Sequence, residues 1–119
     1  MSETVKPDTH LVLKRKWFAK IWNGEKTVEY RALTPYWKRR LEKLGQRFFV
    51  EFMWGMKKNG PRILCQVHKV DIGKCPYPGW PGKFYRIHFV LIQAAMKEDG
   101  VYFPFLEIPR MKEQGGKRK

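Results

Sequence analysis

Three ionisable side chains, Lys26, Glu29 and Arg31, fall within the run Gly24-Glu25-Lys26-Thr27-Val28-Glu29-Tyr30-Arg31. Buried or half-buried charge is costly unless it is paired or used, so a cluster of this kind marks a candidate site. Arg31 offers a planar fork of donors suited to phosphate. Glu29 can accept from an exocyclic amine, as carboxylates do with cytosine. Lys26 set against Glu29 can act as a base or an electrostatic stabiliser, which makes these two the candidate catalytic residues. The structural alternative is an ion pair of Glu29 with Arg31 or Lys26 that seals the end of a barrel.

The elements around this cluster must hold it in place. Upstream, Trp17, Phe18, Ile21 and Trp22 form one face of a helix over 15–23. Gly24 supplies the C-terminal residue that tolerates positive φ. Residues 27–32 then alternate, with Thr27, Glu29 and Arg31 on one face and Val28, Tyr30 and Ala32 on the other, which is a strand pattern. Thr34-Pro35 starts a second helix, whose apolar face is Tyr36, Trp37, Leu41 and Leu44 and which Gly45 ends. A short strand is expected over 10–14, a buried one over 48–54, and a hairpin return over 62–70 after the Asn59-Gly60 turn signal. Residues 73–83 are rich in Pro and Gly and read as a long loop. A further strand is expected over 84–92, and another over 101–108, placed at an edge by Pro104.

This order predicts an α+β domain built on a small β-barrel. The expected organisation is a flexible arm over 1–9, a single domain over 10–109 and a disordered basic tail over 110–119. The chain has 119 residues, enough for one core. Its 25 Lys and Arg against 11 Asp and Glu give a net charge of +14, which favours an acidic partner, nucleic acid first. No segment is apolar over the ~18 residues that a membrane span needs, and residues 1–6 lack the apolar stretch of a signal peptide. A cytoplasmic location is expected, with Cys65 and Cys75 as reduced thiols. His10, His68, His88 and the cysteines show no metal-ligand spacing, and no cofactor is expected.

Gly24, Lys26, Glu29 and Arg31 match every fixed position of Gly-x-Lys-x-x-Glu-x-Arg, and in this the chain resembles the ASCH domain of the PUA-like superfamily. The flanks Leu11–Phe18, Thr34–Leu41 and Glu51–Gly55 resemble small stand-alone ASCH proteins of bacteria and their phages, so the likeness runs from about His10 to about Ile92. The resemblance implies a β-barrel flanked by helices, with a groove beside the motif. It implies RNA or another nucleic acid as partner. Some ASCH-like proteins are ribonucleases and others deacylate modified cytidine with a Lys, a Thr two residues before the motif Arg, and a later Glu. Lys26 matches that lysine, but Glu29 occupies the threonine position, so only Lys26 carries over.

Further nucleic-acid contacts are expected outside the motif. Lys38, Arg39 and Arg40, with Lys43 and Arg47, form a basic stripe on the second helix that can track phosphates or be a solvated face. Trp80, in the Pro/Gly loop with Tyr77 near it and Lys83 after it, can stack on a base or pin the loop to the core. Trp54 is a weaker candidate of the same kind. The leading expectation is an RNA-binding domain. The alternatives are a metal-independent hydrolase that needs Lys26, either a ribonuclease or a modified-nucleoside amidohydrolase, and a phage or mobile-element module that engages a protein.

Overall fold

A computed structural model describes residues 6–112. Six strands and two helices follow the order β1 (Thr9–Leu13), α1 (Arg15–Trp22), β2 (Val28–Arg31), α2 (Pro35–Leu44), β3 (Phe48–Trp54), β4 (Gly60–Lys74), β5 (Lys83–Glu98) and β6 (Val101–Pro104). The architecture is α+β and dominated by one sheet, in the order β1-β3-β4-β5-β2, with β6 also on β5.

β4 and β5 are the frame. They pair antiparallel along almost their whole length, with register shifts between Leu64 and Cys65 and between Val67 and Lys69. Irregularities of this kind bend a strand pair and increase its twist. β2 takes up Tyr85–His88 of β5, and β6 takes up Ala95–Glu98. Beyond Ile92, where the strand was expected to end, β5 continues because partners flank it there. β4 and β5 likewise extend to Lys74 and from Lys83, which shortens the expected 73–83 loop to residues 75–82.

The sheet is not closed into a barrel: β1, parallel to β3, and β2, antiparallel to β5, are its two ends. A side chain spans the gap between them, where Arg31 Nη2 donates to the Val12 carbonyl at 3.4 Å. The core lies inside this curl. It comprises Phe18 and Ile21 of α1 against Val50 and Phe52 of β3, Ile63, Cys65 and Val67 of β4, and Ile87 and Phe89 of β5.

Both ends of the described chain are tied down. Asp8 exchanges two hydrogen bonds with the Phe49 backbone, and β1 starts at Thr9, inside the expected arm. After Pro104 the chain leaves the sheet and crosses to α1 rather than continuing as a strand to Ile108. Trp22 Nε1 donates to the Pro109 carbonyl at 2.6 Å, and the Asn23 amide bonds the Met111 backbone in both directions. Arg110 reaches Glu25 at 3.0 Å. The expected tail therefore begins with anchored residues, while Lys117, Arg118 and Lys119 lie outside the described residues.

Candidate functional site around Lys26

The turn after α1 sets the geometry. Gly24 adopts φ +79°, a conformation costly for residues with a Cβ, and the Glu25 and Lys26 amides both return to the Lys20 carbonyl. The chain folds back on the end of α1 and drops the Lys26 side chain against the first rungs of β2. There its ammonium meets Glu29 Oε1 at 3.1 Å and the Val28 carbonyl. Three rings enclose it, with centroids at 4.9 Å for Tyr30, 5.5 Å for Tyr77 and 5.6 Å for Trp17. Only 3% of the Lys26 side chain is exposed, and 8% of Glu29.

Glu29 joins the two cations. Its Oε2 accepts from Arg31 Nη2 at 2.7 Å and Nε at 2.9 Å, so the carboxylate bridges Lys26 and Arg31. Both structural pairings weighed from the sequence are thus present at once. Arg31 lies over Trp37 at 4.9 Å from the ring centroid and keeps 21% of its side chain exposed. It is the member of the cluster that reaches the surface. Burial is the largest influence on Lys26 and lowers its pKa, against the opposing pull of Glu29. Burial likewise raises the Tyr30 and Tyr77 phenols.

The other expected contacts divide. Lys38, Arg39 and Lys43 are exposed on α2 with no ion pair among the described residues; Arg47, expected on the same helix, is also exposed and unpaired but lies past the Gly45 cap, before β3. Arg40 is committed to structure: it donates to Thr9 Oγ1 at 2.7 Å, the His10 carbonyl at 2.8 Å and the Tyr36 hydroxyl at 3.1 Å, and covers Trp37 at 4.9 Å. Trp80 is half-buried, edge-on to Trp17 at 6.1 Å and against Phe84 at 5.4 Å, so it pins its loop. Trp54 stacks on Phe18 at 5.9 Å beneath Arg15, and its indole N–H is buried without a partner among the described residues. It takes no part in the Lys26 cluster. Lys83 is exposed at the start of β5, directly across from Lys74.

Comparison with family models, with curated proteins and with solved structures finds no match to this chain.

Sequence reasoning missed the cage. Trp17 read as core, Tyr30 as the far face of a strand and Tyr77 only as a neighbour of Trp80, because the three rings come from segments far apart in the chain. It also missed two other ionic groups. Buried Glu51 accepts from the Tyr102 hydroxyl at 2.6 Å and lies 3.3 Å from His10 Nε2 and 4.0 Å from Arg62 Nε. The Arg62 guanidinium also ties down the β3–β4 turn through the Lys57, Lys58 and Pro61 carbonyls. On β4, Asp71 takes a two-point contact from Arg86 at 2.8 and 2.9 Å and one from His88 at 3.1 Å. The Arg86 guanidinium holds the Asp71 carboxyl well below the usual carboxylate range. It also lies across Gly73 so closely that a Cβ there would stand 2.4 Å from it. Among the described residues no group of three His, Cys, Asp or Glu could hold a metal ion. No helix among them is long and apolar enough to cross a membrane.

Proposed function

We propose that this chain is an ASCH-like, PUA-like domain that binds single-stranded nucleic acid, RNA first, along a basic surface beside Gly24–Arg31. The carrying observation is the unequal use of charge. The carboxylates of Glu29, Glu51 and Asp71 are spent on Lys26, Arg31, Arg62 and Arg86, and on the exposed Lys69 beside Asp71. Lys38, Arg39, Lys43, Arg47, Lys74 and Lys83 remain exposed and unneutralised among the described residues. A surface left this basic attracts a polyanion and releases its counterions.

In this reading Arg31 makes the phosphate contact at the motif, held in place by Glu29 and by the face of Trp37. Lys26 and Glu29 position Arg31 instead of touching the ligand, because the rings and the 75–82 loop cover them. Lys38 and Arg39, on the helix that carries Trp37, extend the phosphate track.

A specific observation also favours the hydrolase reading: burial pushes the Lys26 amine toward its neutral form, which a base requires, with Glu29 at 3.1 Å to take up a proton. Catalysis then needs the Tyr77–Trp80 loop to open. One experiment separates the two readings. Labelled single-stranded RNA is incubated in EDTA with wild type, Lys26→Ala and Arg31→Gln, then run on native and denaturing gels. The binding reading expects a shift that weakens in Arg31→Gln, with RNA intact in all lanes. Cleavage by wild type that is lost in Lys26→Ala would replace it with the hydrolase.

A further inference from the structure

The last rung of the β4–β5 ladder places two lysines directly opposite each other, Lys74 and Lys83. Side chains at such positions stand about 4.5–5.5 Å apart at Cβ, and like charges there are destabilising. Both are exposed, and neither has an ion-pair or hydrogen-bond partner among the described residues. The same ladder handles charge differently three rungs earlier, where Asp71 faces Arg86 and the two are paired. The rung is also not a loose tip. Its connecting loop is held by Tyr77 on Trp17 at 4.7 Å and by Trp80 between Trp17 and Phe84.

The register shows what this rung adjoins. Along β4 and β5, Val70–Ile87, Ile72–Tyr85 and Lys74–Lys83 are successive pairs on one face. β2 adds Glu29 beside Ile87 and Arg31 beside Tyr85 on that same face. The face therefore runs outward from the core through Glu29 and Ile87, then Arg31 and Tyr85, then Ile72 at 53% exposure, to the lysine rung. Lys83 lies two residues along β5 from the residue paired with Arg31, a rise of about 6.8 Å. Across the strands the midpoint of the lysine pair lies a further one and a half strand spacings, roughly 7 Å, from β2, so a phosphate held at Arg31 and one held between the lysines fall about 10 Å apart along an extended strand.

We infer that Lys74 and Lys83 form a phosphate seat, in which one oxyanion bridges both ammonium groups and relieves their repulsion. The inference rests on the nucleic-acid reading and gives it a second contact outside the motif and outside α2. A free phosphate ester presents the same chemistry as a backbone phosphate, so the test separates the two sources.

The variant is Lys83→Glu, which turns the like-charge rung into an opposite-charge pair and should fold with an unchanged or higher Tm. The probes are a labelled oligouridylate of about twelve nucleotides, within the range of site sizes for single-strand binders, and inorganic pyrophosphate at matched ionic strength. Each phosphate contact on a single strand contributes about 0.7 to the log–log salt slope, or about fourfold in affinity at 0.15 M salt. The seat predicts at least that loss for Lys83→Glu, a slope shallower by at least about 0.7, and loss of the Tm rise that pyrophosphate gives wild type. Unchanged oligouridylate affinity and slope in the variant, or equal stabilisation of both proteins by pyrophosphate, would overturn the seat. If wild type ignores the oligonucleotide yet is stabilised by pyrophosphate through Lys83, the seat stands for a free phosphate ester and the nucleic-acid reading falls. If wild type responds to neither probe, both fall.

Discussion

Replacing Glu29 with Gln removes the only carboxylate that touches Lys26 and Arg31 among the described residues while keeping its shape. Arg31 can turn part of its guanidinium to water, since its side chain is 21% exposed, but Lys26 at 3% cannot. Breaking a buried pair by deleting one partner costs ~3–5 kcal/mol. The lysine has one escape, which is to lose its proton. Reckoned from its ordinary value of 10.5, deprotonation at pH 7 costs at most about 4.8 kcal/mol at 1.36 kcal/mol per pH unit, and less in the fold, where burial already lowers that value. The two routes give similar figures, so the expected loss at pH 7 is roughly 3–5 kcal/mol. The pH dependence follows from linkage. In the variant the folded lysine has a depressed pKa, the unfolded chain binds the extra proton, and stability rises with pH up to the unfolded value. The deficit of Glu29→Gln relative to wild type should therefore shrink by ~1 kcal/mol per pH unit from pH 7 up to the point where Lys26 of the folded wild type, itself lowered from 10.5 by burial, loses its proton. The assay is urea unfolding of both proteins across that range, with Lys26→Met/Glu29→Gln as a third chain that removes the stranded ammonium and recovers most of the loss at pH 7. A deficit below about 1 kcal/mol, the level of an exposed ion pair, or one that does not change with pH, would refute the placement of Lys26 as a buried, caged cation.

Three further outcomes are expected. Arg31→Lys should weaken RNA binding nearly as much as Arg31→Gln, because an ammonium cannot reproduce the two-point contact to Glu29 or the guanidinium's cover over the Trp37 ring; fluorescence anisotropy checks it. Burial and the Glu51 contact push the Tyr102 phenol up to about 12. With its folded pKa raised, Tyr102 favours folding while protonated, so stability should fall between about pH 10 and 12, and Tyr102→Phe should remove part of that fall in pH-dependent unfolding. Burial raises the Cys65 thiol and hides it in the core, whereas Cys75 is half-buried on the 75–82 loop. A thiol reagent should therefore titrate one cysteine in the native protein and two in urea.

Legibility in the sequence followed the range of each signal. Thr34 caps α2, accepting from the Trp37 amide at 3.2 Å, and Gly24 ends α1 with positive φ, because both devices depend only on neighbouring residues. The alternation that places Glu29 beside Arg31 is equally local, and the two are in contact. β5 was cut short because Gln93, Ala94, Ala95 and Lys97 carry little strand preference; β4 holds all four extended, and β6 adds a second edge from Ala95 on. Glu51 was hidden for the reverse reason. It sits in an apolar strand, and its partners His10, Arg62 and Tyr102 come from three other strands. The cage around Lys26 has the same origin, since Trp17, Tyr30 and Tyr77 meet only when α1, β2 and the 75–82 loop are assembled. The basic stripe on α2 was visible as composition, but not the diversion of Arg40 into bonds with β1.

The central claim is that the uncompensated charge exists to hold a polyanionic strand. The measurement that tests it most directly is the equilibrium affinity of wild type for a labelled single-stranded RNA across a salt series, by anisotropy and in EDTA. The account predicts affinity that falls steeply, with a log–log slope of about −0.7 for each phosphate held, so close to −3 if Arg31, Lys38, Arg39 and the Lys74–Lys83 rung each hold one. A flat response, or no binding even at low salt, would contradict it.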